Sequence, residues 1–257
     1  NKALEEILSK RSPPRTKREV IVAIYFKIGG WHWADKIERW AAKSPLVARY
    51  PQTRYSSIYR GMPIWATRVT YVFGVGRTFR INNVMVGSDK LGHFVSQGFK
   101  YMRRELRGMS DERIIKRGRY AERWIFGQFT TGIFSNADLV ANYEGYRFYQ
   151  SLFQDDLTEG KPAILKWEDG RYQMQRRFTF ADHINNYWDE ALNPSYSVPA
   201  VDKRLRQAIK KLCPEYLANP SFYTINDDAE LWARYSRLGL KDARQNQFQV
   251  VCDDTPP

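Results

Sequence analysis

The stretch from Ser88 to about Phe153 constrains this chain most, because it spells three helices in succession with a glycine- and threonine-rich break before the third. Ser88 suits an N-cap, Asp89 suits the positive start of a helix dipole, and Leu91, Phe94, Val95 and Met102 form an apolar stripe that runs up to Gly108. Ser110 caps a second helix, with Asp111 and Glu112 in its first turn, and the pattern extends to about Phe126. The segment GQFTTGIFSNADL then packs two glycines, two threonines and β-favouring aromatics together, which predicts a tight hairpin or an irregular turn. A third helix begins near Ser135 or Asn136 and continues to about Phe153.

The flanks are less regular. Residues 1–18 read as a short helix and then an arm carrying Pro13 and Pro14; residues 19–44 open with an apolar run, break at Gly29-Gly30 and resume with helical periodicity. Residues 45–86 hold Pro45, Pro51 and Pro63, and the run WATRVTYVFGVG fits strand or helix. Downstream, EDG marks a hairpin turn in KWEDGRYQMQ. Three further helices are expected: about Phe180–Leu192, stopped by Asn193-Pro194; about Asp202–Leu212, ended by Pro214; and roughly Asp228–Leu238. The expected class is α+β, mostly α, with helices around a small β element. A chain of 257 residues with 43% hydrophobic content has enough apolar material for one large core or two small ones. One lobed domain over 1–257 is expected, with an N-terminal arm and helices (1–85), a central core (86–195) and a helical C-terminal extension (196–257).

A formal net charge of +13 bears on partners rather than fold. It suits a polyanion, whether nucleic acid, an acidic membrane face or an anionic wall polymer, and it equally suits a merely solvated basic surface. No apolar window approaches the ~18–20 residues of a membrane span, so no transmembrane segment is expected. The chain opens at Asn1, as a mature or trimmed protein would. Cys213 and Cys252 are either one disulfide stapling the tail of an exported protein or two free thiols in the cytosol. No Walker loop, HExxH, CxxC or GxSxG motif is present, and no zinc finger or RNA-recognition signature. Nucleic acid is therefore not an expected partner, and no cofactor is expected.

Glu122 is the first candidate for chemistry. It sits near the C-terminal end of the second helix beside Trp124 and Phe126, where the dipole and the aromatic neighbours both favour the protonated form a general acid needs. An exposed Glu paired with Arg119 or Arg123 is the ordinary alternative. On the third helix Asp138, Asn142, Gly145, Tyr146 and Tyr149 recur at spacings of three or four, a polar and aromatic stripe that suits a sugar or a half-buried face. Glu144 falls on the apolar stripe of that helix, which favours a structural ion pair. Asp89 and His93 are one turn apart, a hydrogen-bonded pair or pocket wall; with only His32 and His183 left among the histidines, no metal site is expected. Asp182, Trp188, Asp189, Glu190 and Asn193 form another dense polar group, explained mostly by capping and inter-helix bonds.

The phrases SDKLGHF, a helix ending in Glu122, TTGIFSNADLVANYEGYRFY and HINNYWDEALNPS together resemble a family of exported bacterial proteins with a modified lysozyme-superfamily fold, typified by lysozymes of predatory bacteria that act on deacetylated peptidoglycan. The resemblance covers about residues 86–195. It implies a lysozyme-like core in which a helix-terminal Glu protonates the glycosidic oxygen, with a β-hairpin as cleft wall. It also implies a second glutamate on the hairpin, where this chain instead has Thr130, Thr131, Ile133 and Phe134. Asp138 is the substitute, with Glu144 behind it, or a water held by Thr131 and Ser135. The implied protein is a periplasmic or secreted, monomeric peptidoglycan glycosidase. Glu122 and Asp138 would be its catalytic residues, and Thr131, Ser135, Asn142, Tyr146, Tyr149, Asp89 and His93 would bind substrate. The alternative is a non-catalytic envelope protein that binds glycan or another polyanion.

Overall fold

The structure, a computed structural model, describes residues 1–30, 35–50, 78–126 and 132–253. Thr130, Thr131, His32 and the run WATRVTYVFGVG lie outside the described residues. The chain is α+β and mostly helical, with three small antiparallel sheets among the described residues. It divides into two units that interleave along the sequence: 1–47, 88–114 and 141–184 in the first, and 48–87, 115–140 and 185–257 in the second.

In the first unit, Thr16 starts the Lys17–Ile28 helix with a capping box. Its hydroxyl accepts the Glu19 N–H at 3.1 Å, and the Glu19 carboxylate accepts the Thr16 N–H at 3.2 Å. That helix stops where the sequence breaks, at Gly29 and the left-handed Gly30. Asp35 caps the Lys36–Lys43 helix, and Glu38 reaches back to the Asp35 N–H at 3.0 Å. The helix expected from Ser88 forms as Ser88–Gly92, a π turn His93–Gln97, and Gly98–Glu105. The π turn lies where the backbone meets the Asn136–Ser151 helix: a Cβ on Gly145 would overlap the Phe94 carbonyl, and one on Gly98 would overlap the Gly145 backbone. Glycine at both positions lets two backbones touch, and the buried Phe94, Val95, Phe99, Phe148 and Tyr149 close around the contact. Tyr25 stacks on Phe99 with centroids 4.2 Å apart.

The EDG signal is borne out. Leu165–Glu168 pairs with Arg171–Met174 across Asp169 and Gly170, both with left-handed φ, as a two-residue hairpin turn requires. The continuous helix expected over Phe180–Leu192 is not formed; only the 3-10 turns Phe180–Asp182 and Asn186–Trp188 appear. Thr179 and Asn185 explain this. Each side chain accepts the backbone N–H two residues on, from Ala181 at 3.2 Å and from Tyr187 at 3.0 Å. Such local bonds offer the backbone an alternative to helix.

In the second unit, Thr78–Ile81 and Val84–Gly87 form a hairpin across Asn82-Asn83, both left-handed. Phe79 and Val86 pair in register and are fully buried. Ile133–Phe134 pairs with Tyr196–Ser197, and residues 127–131 of the expected hairpin or irregular turn lie outside the described residues. The helices expected near 202–212 and 228–238 form as Pro199–Lys210, and as Asp228–Tyr235 with a 3-10 turn. Pro214 opens a further short helix, Cys213–Ala218, where its missing N–H costs nothing. Cys213 and Cys252 are bonded, and with Val201, Leu205, Ile209, Tyr216, Phe248 and Val251 they make one buried cluster. Among the described residues no helix is long and apolar enough to cross a membrane.

Two outcomes follow from this packing. Gly145→Ala should destabilise the protein by about 2 kcal/mol or more in chemical denaturation, because neither backbone can give way. Replacing both cysteines with alanine should cost about 2–4 kcal/mol, since the bond closes a loop with a sequence separation of 39. A change below about 0.5 kcal/mol in either experiment would contradict the respective assignment.

Candidate functional site

Ser135 organises the polar centre of the second unit. It caps the Asn136–Ser151 helix, its hydroxyl accepting the Asp138 N–H at 3.1 Å. The same hydroxyl donates to Glu190 Oε1 at 2.8 Å. Its backbone N–H donates to Glu122 Oε1 at 3.4 Å. One buried serine thus engages two glutamates from distant parts of the sequence. Glu122 opens the π turn Glu122–Phe126 at the end of the Asp111–Ala121 helix. Its side chain is buried at 4% exposure rather than solvated. π turns are rare and recur at functional sites.

The neighbouring elements hold Ser135 in place. The Asn136 amide donates to the Lys241 carbonyl at 2.8 Å and the Pro194 carbonyl at 3.2 Å, and accepts the Lys241 N–H at 3.0 Å. The Lys241 ammonium stands 4.2 Å from the centroid of Tyr196 and 4.8 Å from that of Phe134. Desolvation, then the nearby Arg123, lowers the Lys241 pKa. Beside Glu190, burial pushes the Asp189 carboxyl up to about 7; the Ala191 and Leu192 N–H groups oppose this, and Glu190 adds to it.

Among the expected site residues, Glu122, Ser135 and Asp138 therefore fall in one unit, although Ser135 meets the Asp138 N–H and Glu190 supplies the second carboxylate. Asn142, Tyr146, Tyr149, Asp89 and His93 fall in the other. There Asn142 Oδ1 lies 2.9 Å from His93 Nδ1, and the half-exposed Asp89 pairs with the buried Lys90 at 2.8 Å. Asp89 and His93 are of the kinds that ligate a divalent cation; the third such group, Asp138, belongs to the second unit. Tyr146 and Tyr149 are fully buried, with hydroxyls donated to Asp111 at 2.6 Å and to the Val95 carbonyl at 3.1 Å. Their rings serve the core and are not a surface on which a sugar can stack. Glu144 is also fully buried, 3.1 Å from His183 Nδ1 and 3.7 Å from Arg147 Nε, an internal ion pair.

The first unit holds a second polar cluster that sequence reading missed. Ser96, in the π turn, donates to Asp35 Oδ2 at 2.5 Å, and Glu38 lies against Gly92. Burial drives the Glu38 carboxyl up to about 8, with Asp89 and Asp35 adding to the effect and the Asp35 N–H and Lys90 opposing it.

No protein-family model, curated protein or solved structure matches this chain.

The Glu38 shift has a defined sign. A carboxyl raised on folding stabilises the protein below its unfolded pKa, and that stability is lost as pH rises through the folded value. Stability should therefore fall between about pH 4.5 and 8. Glu38→Gln should flatten that decline in urea denaturation, whereas an unchanged slope would refute the burial of a carboxyl there.

Proposed function

We propose that this protein is an exported peptidoglycan glycosidase in which Glu122 is the general acid and Glu190 the second carboxylate. The observation that carries the reading is the Ser135 bridge, which brings a buried glutamate and a second glutamate to one residue. One carboxylate is held by the Ser135 N–H at 3.4 Å and the other by its hydroxyl at 2.8 Å, which sets the two acids near one another, as glycosidases need of their paired carboxyl groups. Burial favours the neutral form of a carboxyl, the form from which a proton can be given.

In this scheme Glu122 transfers its proton to the glycosidic oxygen as the C–O bond breaks, and positive charge develops on the sugar ring. Glu190 accepts a proton from water as the water oxygen bonds to the anomeric carbon. The products are two shorter glycans; Glu190 then releases its proton to solvent and Glu122 takes one up, which restores both carboxyl groups. Ser135 orients both carboxylates and takes no part in bond making. In this reading Glu190 fills the role that the resemblance left to Asp138, which stands in the first turn of its helix. The resemblance of the segments from SDKLGHF to NPS supports the substrate class. The disulfide and the lack of a membrane-spanning helix among the described residues suit a periplasmic or secreted protein.

Purified protein should release soluble muropeptides from bacterial sacculi, native or deacetylated. Glu122→Gln and Glu190→Gln should each lower that rate by ~100-fold or more, with the fold intact by circular dichroism. Binding of sacculi without product, or full activity in Glu122→Gln, would sink the assignment.

A further inference from the structure

The helix that presents Glu122 inward has a different outer side. Lys116, Arg117, Arg119, Tyr120, Arg123 and Trp124 are all exposed. Tyr120 is 60% exposed and Trp124 45%, one turn apart, with ring centroids separated by 6.3 Å. The acid within this stretch, Glu122, points into the interior. Among the described residues Lys116, Arg117 and Arg123 form no ion pair. This side therefore shows a cluster of positive charge around two large amphipathic rings, with one exposed acid, Glu112, a turn before Lys116.

We propose that this face docks on an anionic lipid bilayer, lying in the headgroup region without crossing it. Charge complementarity favours a negatively charged surface. The rings decide which kind. The Arg123 guanidinium covers the Trp124 ring at 5.1 Å from its centroid. The tilt of 39° between Tyr120 and Trp124 does not offer parallel platforms. A nucleobase or a sugar stacks on an open ring face, and Arg123 takes one of the two faces of Trp124. An interfacial Trp or Tyr needs only to sit at headgroup level with cations beside it, and these side chains meet that condition. The disulfide suits an oxidising compartment, where lipid headgroups rather than nucleic acids are the abundant phosphates. The proposal does not depend on the glycosidase reading, because it concerns the opposite side of the helix and a surface without glycan.

The test is co-sedimentation of the full chain with phosphatidylcholine vesicles, with and without phosphatidylglycerol, over a salt series. Binding is expected only with the anionic lipid and should weaken as salt rises. Lys116→Gln/Arg117→Gln/Arg123→Gln should weaken it by roughly ten-fold or more and flatten the salt dependence. Tyr120→Ser/Trp124→Ser should weaken it at every salt concentration with the slope retained. If Arg123→Gln disturbs the fold by circular dichroism, Lys116→Gln/Arg117→Gln gives the same reading in smaller measure. Equal binding to neutral vesicles, or indifference to the lysine and arginine changes, would overturn the proposal. So would tighter binding to duplex DNA with the same dependence on these residues, which would make the face a nucleic-acid surface.

Discussion

The bonding of Ser135 is the constraint on which the candidate site depends. A helix N-cap must supply an acceptor to free backbone N–H groups, and serine does so here for Asp138. Because the hydroxyl also has a proton to give, it holds Glu190, and because the cap residue's own N–H is outside the helix ladder, it is left for Glu122. The geometry of a helix start thus fixes where two carboxylates can stand. Asn136 and Lys241 pin the next residue, so the cap cannot drift along the strand that precedes it.

Buried acid groups recur in this protein, each with a partner that makes burial tolerable. Glu144 has His183 and Arg147; Asp35 has Ser96; Tyr146 gives its hydroxyl to Asp111. Leaving such groups unsatisfied would cost of the order of 1–3 kcal/mol each. The first unit uses its polar groups to lock helices around the Gly98–Gly145 contact. The second sets its own around the end of a helix whose outer side is basic and aromatic. A hydrolase working at a cell envelope would use both sides: one for a proton, the other for a surface.

Much of the fold was legible because its signals are local. Ser135 and the EDG turn specify backbone within a few residues of themselves, and the structure places a helix start and a hairpin there. The Asn82-Asn83 hairpin carried an equally local sign, two residues that tolerate the left-handed region, but no glycine to advertise it. The absent helix at Phe180–Leu192 shows a contest between two local preferences, in which the side chains of Thr179 and Asn185 captured the backbone. The candidate site was legible only in half. Glu122 stood out as an acid near a helix end, but its neighbour Trp124 is exposed, so the aromatic run does not account for its burial, and the approach of Glu190 rests on a chain fold-back across dozens of residues that no spacing encodes. Tyr146 and Tyr149 shared a helical face with Asn142, but that face meets the core, and periodicity alone does not say which side of an amphipathic helix a ligand reaches.

The most direct test of the account is a crystal structure of the Glu122→Gln variant with a peptidoglycan tetrasaccharide bound. The account predicts a glycosidic oxygen within about 3 Å of the residue-122 carboxamide, with the Glu190 carboxylate facing the anomeric carbon. A glycan seated away from Ser135, or no glycan bound at all, would contradict it.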